Sequence, residues 1–329
     1  MSSDSGPRAA GIGAAAGKPV HLASGPMRAL AVRSVRRAQG VLGQATRSAR
    51  VLPSVLIVGA QRGGTTSMFK ALRQHPAMLA PVTGKGVHFF DLAYERGLNW
   101  YRGNFPLQRT VDAASSTAGI AARTFESSPY YLWHPHVAAR IAADLDEIRC
   151  LVLVRDPVER AYSAHEHETR KGFETETFER ALELEASRLA GADRELAEHP
   201  LAPHYSHQHH AYRARGIYAP QVERLAGELG KDRVLVVDSQ AFFETPETEM
   251  AEVWSFLGLG EPAGIVYERH NARHRNPMDL GVRAELEEFF TPHDADLTSW
   301  LRRVPSWRQD RPESRPSPDQ RQRTDGPDQ

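Results

Sequence analysis

Short apolar runs alternate along the chain with longer segments in which apolar residues recur every three or four positions. Runs rich in Val, Leu and Ile predict buried strands over residues 55–58, 150–154 and 234–237, and a shorter strand is predicted over residues 123–126. The spacing of three and four predicts helices over residues 66–74, 136–145, 158–170, 178–196, 219–229, 247–257 and 283–290. The repeated switch between the two patterns indicates an α/β fold, in which a parallel sheet is flanked by helices.

The two ends of the chain do not share this pattern. Residues 1–26 are rich in Ala, Gly, Ser and Pro and contain no aromatic residue, and residues 308–329 contain no core-forming residue. Such compositions cannot bury enough apolar surface to order a chain, so both ends are predicted to be disordered. We therefore expect an N-terminal extension over residues 1–50, a single domain over residues 51–307 and a C-terminal tail.

Residues 27–50 form a basic segment with a weak helical pattern, in which Ala, Val and Leu lie apart from the arginines on the helical wheel. Two interpretations are open. A basic amphipathic helix can make peripheral contact with an anionic membrane or with a partner, whereas a solvated helix only leads into the fold. The apolar face is mostly Ala and Val, which favours the solvated helix.

Charge narrows the classes of ligand. The chain has 41 basic and 41 acidic residues. Residues 1–50 contain eight basic and one acidic residue, and residues 308–329 contain five of each. The body of the chain, residues 51–307, therefore contains 28 basic and 35 acidic residues. An acidic body does not attract a polyanion, so no nucleic-acid partner is expected. Any anionic ligand must be held by a few aimed cations and backbone N–H groups.

Cysteine content and hydropathy indicate the compartment. Cys150 is the only cysteine and lies in an apolar run, which indicates a buried thiol in a reducing environment. No stretch approaches the ~18 apolar residues of a transmembrane helix, and the N-terminus lacks the apolar block of a signal peptide. We therefore expect a cytoplasmic protein.

A glycine-rich loop follows the first predicted strand and precedes a helix, an arrangement that binds phosphate through backbone N–H groups and the helix dipole. The loop is P-loop-like, but Thr65 stands where a nucleoside triphosphatase has lysine, and the cation is Arg62. This difference argues against ordinary ATP or GTP hydrolysis. A dinucleotide fingerprint fails as well, because its second glycine would fall on Gln61. The remaining alternative is a βα turn that binds no ligand.

Two motifs carry a resemblance to a known family. Residues 58–67 look like the 5′-phosphosulfate loop of sulfotransferases that use 3′-phosphoadenosine 5′-phosphosulfate (PAPS), and residues 154–163 resemble the 3′-phosphate motif of the same family. The alternative for the second motif alone is an ion pair at a helix start. Further segments are similar to heparan-sulfate-type and bacterial carbohydrate sulfotransferases, so the resemblance covers about residues 53–307; these segments are 85–91, 100–101, 126–131, 216–219 and 256–259.

The resemblance implies PAPS as donor co-substrate, and a hydroxyl or amine of a sugar, glycosylated metabolite or other small molecule as acceptor. No metal is expected, because no set of candidate ligands has a suitable spacing. It also implies that Lys85 supplies a cation near the transferred group, although a surface lysine in a glycine-rich turn is the alternative. A late loop with Arg273 and Arg275 would cover the nucleotide. The residues that would hold the donor are Arg62, Gly63, Gly64, Thr65, Thr66, Ser67, Arg155 and Ser163.

The catalytic base is where this chain departs from the family. Related glycan sulfotransferases usually have a glutamate base directly after the lysine, and here the residue is Gly86. His88, whose ordinary pKa of ~6.5 suits base catalysis, is the first replacement, and Glu126 is the second. A packed structural histidine is the alternative for His88. Ser127 also differs from the lysine that glycan enzymes often have, so acceptor recognition is expected to differ.

Fifteen histidines raise the question of a metal site. His165-Glu166 does not open a zinc-protease helix, because the second histidine would have to stand at Thr169, and no other spacing fits a ligand set. His167, one turn beyond Ser163, is expected near the acceptor. Two rival functions stay open: a P-loop kinase-like enzyme, and a non-catalytic or impaired nucleotide-binding protein of the same fold.

Overall fold

The structure, a computed structural model, describes residues 38–262, 264–267 and 276–309. Its centre is one parallel sheet with the strand order β2-β3-β1-β4-β5, which confirms the predicted α/β class. All four predicted strands are present, and β2 is the one that the pattern missed. The strands are β1 (Val55–Gly59), β2 (Met78–Leu79), β3 (Arg123–Ser127), β4 (Arg149–Val154) and β5 (Val234–Asp238).

Helices surround the sheet, and several of them connect consecutive strands. Residues 38–45 form α1, whose beginning lies outside the described residues. The others are α2 (Thr65–Leu72), α3 (Phe89–Leu92), α4 (Leu98–Arg102), α5 (Gln108–Ala118), α6 (Val137–Asp144), α7 (Pro157–Lys171), α8 (Phe178–Leu189), α9 (Ala192–Glu198), α10 (Tyr205–His209), α11 (Ala219–Leu229), α12 (Ser239–Glu244), α13 (Pro246–Leu257) and α14 (Leu280–Leu301).

The central strands β1 and β4 are buried and free of charged residues from Val55 to Gly59 and from Cys150 to Val154, because both faces of the sheet are covered. Alternate side chains of a strand point to opposite faces. Leu56 and Val58 therefore pack with α6, α11 and the end of α14, while Val55 and Ile57 pack with α2 and α13 on the other face. A third apolar cluster joins α7, α8 and α14.

Two predicted helices differ from the structure by more than two residues at their ends or in their continuity. The helix predicted over residues 178–196 is wrong as a single element, because Gly191 adopts a φ of 81° and separates α8 from α9. The last helix, predicted over residues 283–290, is the longer α14, which continues through Pro292.

The predicted N-terminal extension and C-terminal tail fall largely outside the described residues. None of the helices within the described ranges is both long and apolar enough to cross a membrane.

The order of the strands places the functional site. The chain adds β2 and β3 on one side of β1 and then crosses to build β4 and β5 on the other. In open α/β sheets, ligands bind beyond the carboxyl ends of the strands where the order reverses. Gly59, Ser127, Val154 and Asp238 are the last residues of the four long strands at this edge.

Candidate active site

A cavity of about 1200 Å³ opens at the carboxyl edge of the sheet. Its wall includes both anion-binding motifs predicted from the sequence, through Arg62 and Arg155, together with Lys85 and His88. Pockets for small ligands usually measure ~300–1,000 Å³, so this cavity has room for a nucleotide and part of an acceptor.

The phosphate loop leads directly from β1 into α2. Gly64 stands at the N-cap of α2 with a φ of 96°, a backbone conformation that favours glycine. The first turn of α2 contains no acidic residue, so the positive end of the helix dipole is not neutralised within the helix. Thr65 and Thr66 line the cavity. The sequence-predicted loop therefore has the local structure of an anion site.

One hydrogen bond joins the two predicted phosphate motifs. Arg62, which has a left-handed φ of 69°, donates from Nε to the Ser163 hydroxyl of α7 at 2.9 Å. The two residues are 101 positions apart in the chain. The structure thus brings together side chains that the sequence assigned to two phosphates of one nucleotide.

Arg155 follows the end of β4 and lies in the cavity wall, 3.5 Å from Glu159. Glu159 also pairs with Arg283 of α14, and Arg283 lines the same cavity. The sequence placed Arg283 in a helix but gave it no role. Arg155 and Arg283 therefore share the Glu159 carboxylate and carry a net positive charge in the cavity wall, which suits binding of a phosphate.

Lys85 reaches the phosphate loop. Its Nζ donates to the hydroxyls of Thr65 and Thr66, each at 3.0 Å. Burial, and then the nearby charge of Arg62, lower the pKa of Lys85 from its ordinary value to about 8. The structure therefore places this ammonium beside the loop and not in a solvent-exposed turn.

His88 and Asp91 form a hydrogen-bonded pair in the cavity wall. His88 Nδ1 lies 2.8 Å from Asp91 Oδ2, the Asp91 side chain is fully buried, and 41% of the His88 side chain is exposed. Burial by itself lowers the pKa of His88, but the hydrogen bond and charge of Asp91 outweigh it and raise the pKa above its ordinary value. Because the carboxylate engages Nδ1–H, Nε2 is left with the lone pair of the neutral ring.

Glu126 is not placed to act as a base, which corrects the second sequence-based candidate. It is fully buried, and it does not line the cavity. Its carboxylate accepts hydrogen bonds from Tyr101 and Tyr131 at Oε1, and from the Val87 amide and the Ser128 hydroxyl at Oε2. Glu126 therefore holds the segment that leads into His88.

Gly86 occupies a position where a side chain does not fit. A Cβ atom built there would lie 2.6 Å from the Ser127 carbonyl oxygen, 3.2 Å from the Ser128 hydroxyl and 3.5 Å from His88 Nε2. The imidazole nitrogen thus lies next to the place where the glutamate of related enzymes would begin.

Replacing Gly86 by alanine is expected to destabilise the protein by about 1–3 kcal/mol, because the backbone oxygen of Ser127 must move. Urea unfolding measures the change. Gly227→Ala is the matched control: Gly227 lies inside α11 with open space around its Cβ position, so alanine should be neutral or stabilising there. Equal unfolding midpoints for Gly86→Ala and wild type would show that this backbone conformation is not the one in solution.

A second set of polar residues in the cavity wall joins Gln61 of the phosphate loop to side chains outside the two phosphate motifs. The set was not found from the sequence, because its members are far apart in the chain and form no common motif. His167, which the sequence did place near the acceptor, also lines the cavity, and burial followed by the charge of Lys171 lowers its pKa to about 4. The members of the second set that contact one another are Gln61, Glu168, His209 and Arg215.

Arg273 and Arg275 lie outside the described residues, so the structure leaves their assignment as a prediction. Among the described residues, no group of three or more His, Cys, Asp or Glu side chains is arranged to hold a metal ion.

Two buried histidines beside the cavity should make stability fall in acid. Burial lowers the pKa of His134 to about 3 and that of His207 to about 2, with nearby arginines adding to both effects. Both rings are neutral in the fold, whereas the unfolded chain binds protons below a pH of ~6.5. Folding stability therefore decreases as the pH falls below that value.

From pH 7.5 to 5.5, the two histidines together should lower the free energy of unfolding by about 3 kcal/mol. Urea unfolding at both pH values measures this difference. His134→Gln should reduce the loss of stability over this pH range by about 1.4 kcal/mol, while His199→Gln, at an exposed histidine, should leave it unchanged. The same pH dependence in all three proteins would contradict the assignment.

Comparison with known proteins identifies the family. Residues 52–271 match the model of the sulfotransferase domain. The chain belongs to the sulfotransferase family. It is 31% identical over 220 residues to human heparan sulfate glucosamine 3-O-sulfotransferase 3B1, and 26% identical over 292 residues to human bifunctional heparan sulfate N-deacetylase/N-sulfotransferase 3. These matches cover 67% and 78% of this chain.

Structural comparison agrees with the sequence match. A sulfotransferase from Alicyclobacillus acidocaldarius aligns with a TM-score of 0.55 and 28% identity, covering 79% of this chain and 100% of that one. The chain described here spans about half the length of the 3-O-sulfotransferase 3B1 and 31% of the length of the N-deacetylase/N-sulfotransferase 3. The comparisons therefore confirm three predictions that were based on the two phosphate motifs: the sulfotransferase family, the α/β fold and the enzyme class.

Proposed function

We propose that this sulfotransferase uses PAPS as donor and transfers the sulfuryl group to a hydroxyl or amine of a carbohydrate. The observation that carries the proposal is the meeting, in one cavity, of two phosphate motifs, a half-buried lysine and a histidine held by a carboxylate. A donor with phosphates at both ribose ends matches the two motifs, since the Arg62–Ser163 hydrogen bond joins them.

The chain's own groups divide the work of transfer. Arg62 and the first turn of α2 would bind the 5′-phosphosulfate, and Arg155 with Ser163 would bind the 3′-phosphate. PAPS supplies an activated sulfuryl group, whose transfer requires in-line positioning and charge stabilisation, as phosphoryl transfer does. Lys85, which donates hydrogen bonds to the loop hydroxyls, would stabilise negative charge that develops near the loop.

His88 would take the proton of the acceptor. Asp91 fixes the Nδ1–H tautomer and stabilises the imidazolium that forms when Nε2 accepts the proton. His88 would thus take the role of the glutamate that is absent at position 86. Its Nε2 lies 3.5 Å from the position that a Cβ atom of residue 86 would occupy.

A carbohydrate acceptor is supported by the names of the relatives. One is a heparan sulfate glucosamine 3-O-sulfotransferase and another a heparan sulfate N-deacetylase/N-sulfotransferase, so their names include transfer to a hydroxyl and transfer to nitrogen. We extend to this chain only the class that they share, a sugar with a free hydroxyl or amine.

The test is transfer of radiolabelled sulfate from PAPS to a panel that contains heparan sulfate, a simple amino sugar and a phenol. We expect labelled carbohydrate and no labelled phenol. Labelled phenol alone would contradict the acceptor class. No transfer to any acceptor, with intact binding of adenosine 3′,5′-bisphosphate, would favour the rival of a non-catalytic nucleotide-binding protein.

A further inference from the structure

A second histidine–carboxylate pair lines the cavity, separate from His88 and Asp91. His209 Nδ1 lies 2.9 Å from Glu168 Oε2, with 12% of the His209 side chain and 2% of the Glu168 side chain exposed. His209 is the last residue of α10, and Glu168 belongs to α7, which also carries Ser163. The pair of His209 and Glu168 takes no part in the chemistry assigned above.

Glu168 also holds the phosphate loop. Its second oxygen, Oε1, accepts a hydrogen bond from Gln61 Nε2 at 3.0 Å, and Gln61 directly precedes Arg62. The side-chain oxygen of Gln61, Oε1, in turn accepts from Arg215, whose guanidinium also donates to the backbone carbonyls of His207 and Gln208. One buried carboxylate is therefore bonded to the donor loop on one side and to His209 on the other.

The His209 ring is held in a fixed orientation. Its centroid lies 4.1 Å from that of Phe173 and 4.9 Å from that of Tyr205. Because Glu168 engages Nδ1, the ring nitrogen left for a ligand is Nε2, which makes no hydrogen bond among the described residues. Burial by itself raises the pKa of Glu168, but the hydrogen bond with His209 and the neighbouring positive groups outweigh it and lower the pKa below its ordinary value, so Glu168 is ionised at neutral pH.

We propose that His209 is an acceptor-binding residue, which hydrogen-bonds a polar oxygen of the sugar through Nε2, and that Glu168 is the residue that positions it. The inference rests on the proposed function, because it concerns the acceptor of that reaction. The Glu168 bond to Gln61 fixes the distance between the acceptor contact and the donor loop. No proton transfer is assigned to His209. Lys85 bonds to the phosphate loop that would hold the transferred group, and Lys85 belongs to the same segment as His88, so the proton of the acceptor is assigned to His88.

The experiment measures KM and kcat with the carbohydrate of the panel that the wild-type chain sulfates fastest, and the Kd of adenosine 3′,5′-bisphosphate by calorimetry. For His209→Ala we expect acceptor KM to rise about tenfold, with kcat within about threefold and the nucleotide Kd within about twofold of wild type, as loss of one ligand hydrogen bond predicts. His209→Gln, whose amide reaches the position of Nε2, should recover part of the loss.

Two further variants separate this role from a structural one. His210→Gln is the matched control, since His210 adjoins His209 but bonds to Ser206 and the Phe173 carbonyl and does not line the cavity. It should leave acceptor KM unchanged. Glu168→Gln should raise both acceptor KM and nucleotide Kd several-fold, because an amide cannot accept from both Gln61 and His209 as the carboxylate does.

Acceptor KM within twofold of wild type in a His209→Ala protein that still binds the nucleotide would overturn the inference. A lower kcat at unchanged KM would also overturn it, because His209 would then act in the chemistry. Absence of transfer by the wild-type chain to every carbohydrate would overturn the proposed function, and this inference with it. The two failures are distinguishable, since the first appears only in the variant.

Discussion

Replacing His88 by alanine is expected to lower kcat by about 10²–10⁴, the range that loss of a positioned general base produces. The Kd of adenosine 3′,5′-bisphosphate should stay close to that of the wild type, because the nucleotide-binding groups are assigned to the phosphate loop and α7. Steady-state transfer assays and calorimetry measure the two quantities. The size of the effect follows from Gly86, which leaves no glutamate to take the proton.

The pH profile distinguishes a base from a packed histidine. In the free enzyme, kcat/KM should rise with pH through the raised pKa of His88, since the base must be neutral, and fall above about 8, where Lys85 loses its proton. Asp91→Asn removes the charge that raises the pKa of His88, so it should move the acid limb to lower pH. An acid limb that stays in place in this variant would contradict the pairing of Asp91 with the base.

A loss of less than tenfold in kcat for His88→Ala would reject His88 as the base. The proton would then have to go to another group of the cavity wall or to solvent. Loss of nucleotide binding in the same variant would instead show that the substitution disturbs the donor site, and the kinetic loss could not be assigned to proton transfer.

Replacing Lys85 by methionine is expected to lower kcat by about 10²–10³, as removal of one charge-stabilising donor does in other enzymes. The side chain keeps a similar length and loses its charge and its bonds to Thr65 and Thr66. Transfer assays at saturating donor and acceptor measure the loss.

Lys231→Met is the control for this substitution. Lys231 packs over the Trp300 ring, and it does not line the cavity. Transfer by this variant should equal that of wild type. A loss below tenfold for Lys85→Met would mean that the loop and Arg62 stabilise the developing charge without the lysine.

Local sequence patterns were sufficient to predict the α/β class and four of the five strands. The runs of consecutive apolar residues in β1, β4 and β5 are buried on both faces of the sheet. An amphipathic helix has polar residues between its apolar ones, so these runs can be told apart from such a helix in the sequence. The two-residue strand β2 is too short to carry a pattern. The break between α8 and α9 depends on the backbone of Gly191, and an isolated glycine in a helical pattern does not reveal its conformation.

The site was predictable where it uses motifs and unpredictable where it uses contacts between distant segments. The glycine-rich loop indicated Arg62, and the resemblance of residues 154–163 to the family's 3′-phosphate motif indicated Arg155 and Ser163, because each of these two motifs is a continuous stretch of sequence. The burial of Glu126 under two tyrosines could not be read from the chain, so it remained a candidate base. Glu168 and Gln61 are 107 positions apart, and only the packing of α7 against the loop brings them together.

The most direct test of the account is calorimetric titration of the purified chain with adenosine 3′,5′-bisphosphate and, separately, with ATP. Arg155→Ala is the matched variant. We predict that the bisphosphate binds at least tenfold more tightly than ATP and that Arg155→Ala removes this preference, because the cation that would hold the 3′-phosphate is lost. Equal or tighter binding of ATP, or a preference that survives in Arg155→Ala, would contradict the donor assignment at the centre of the account.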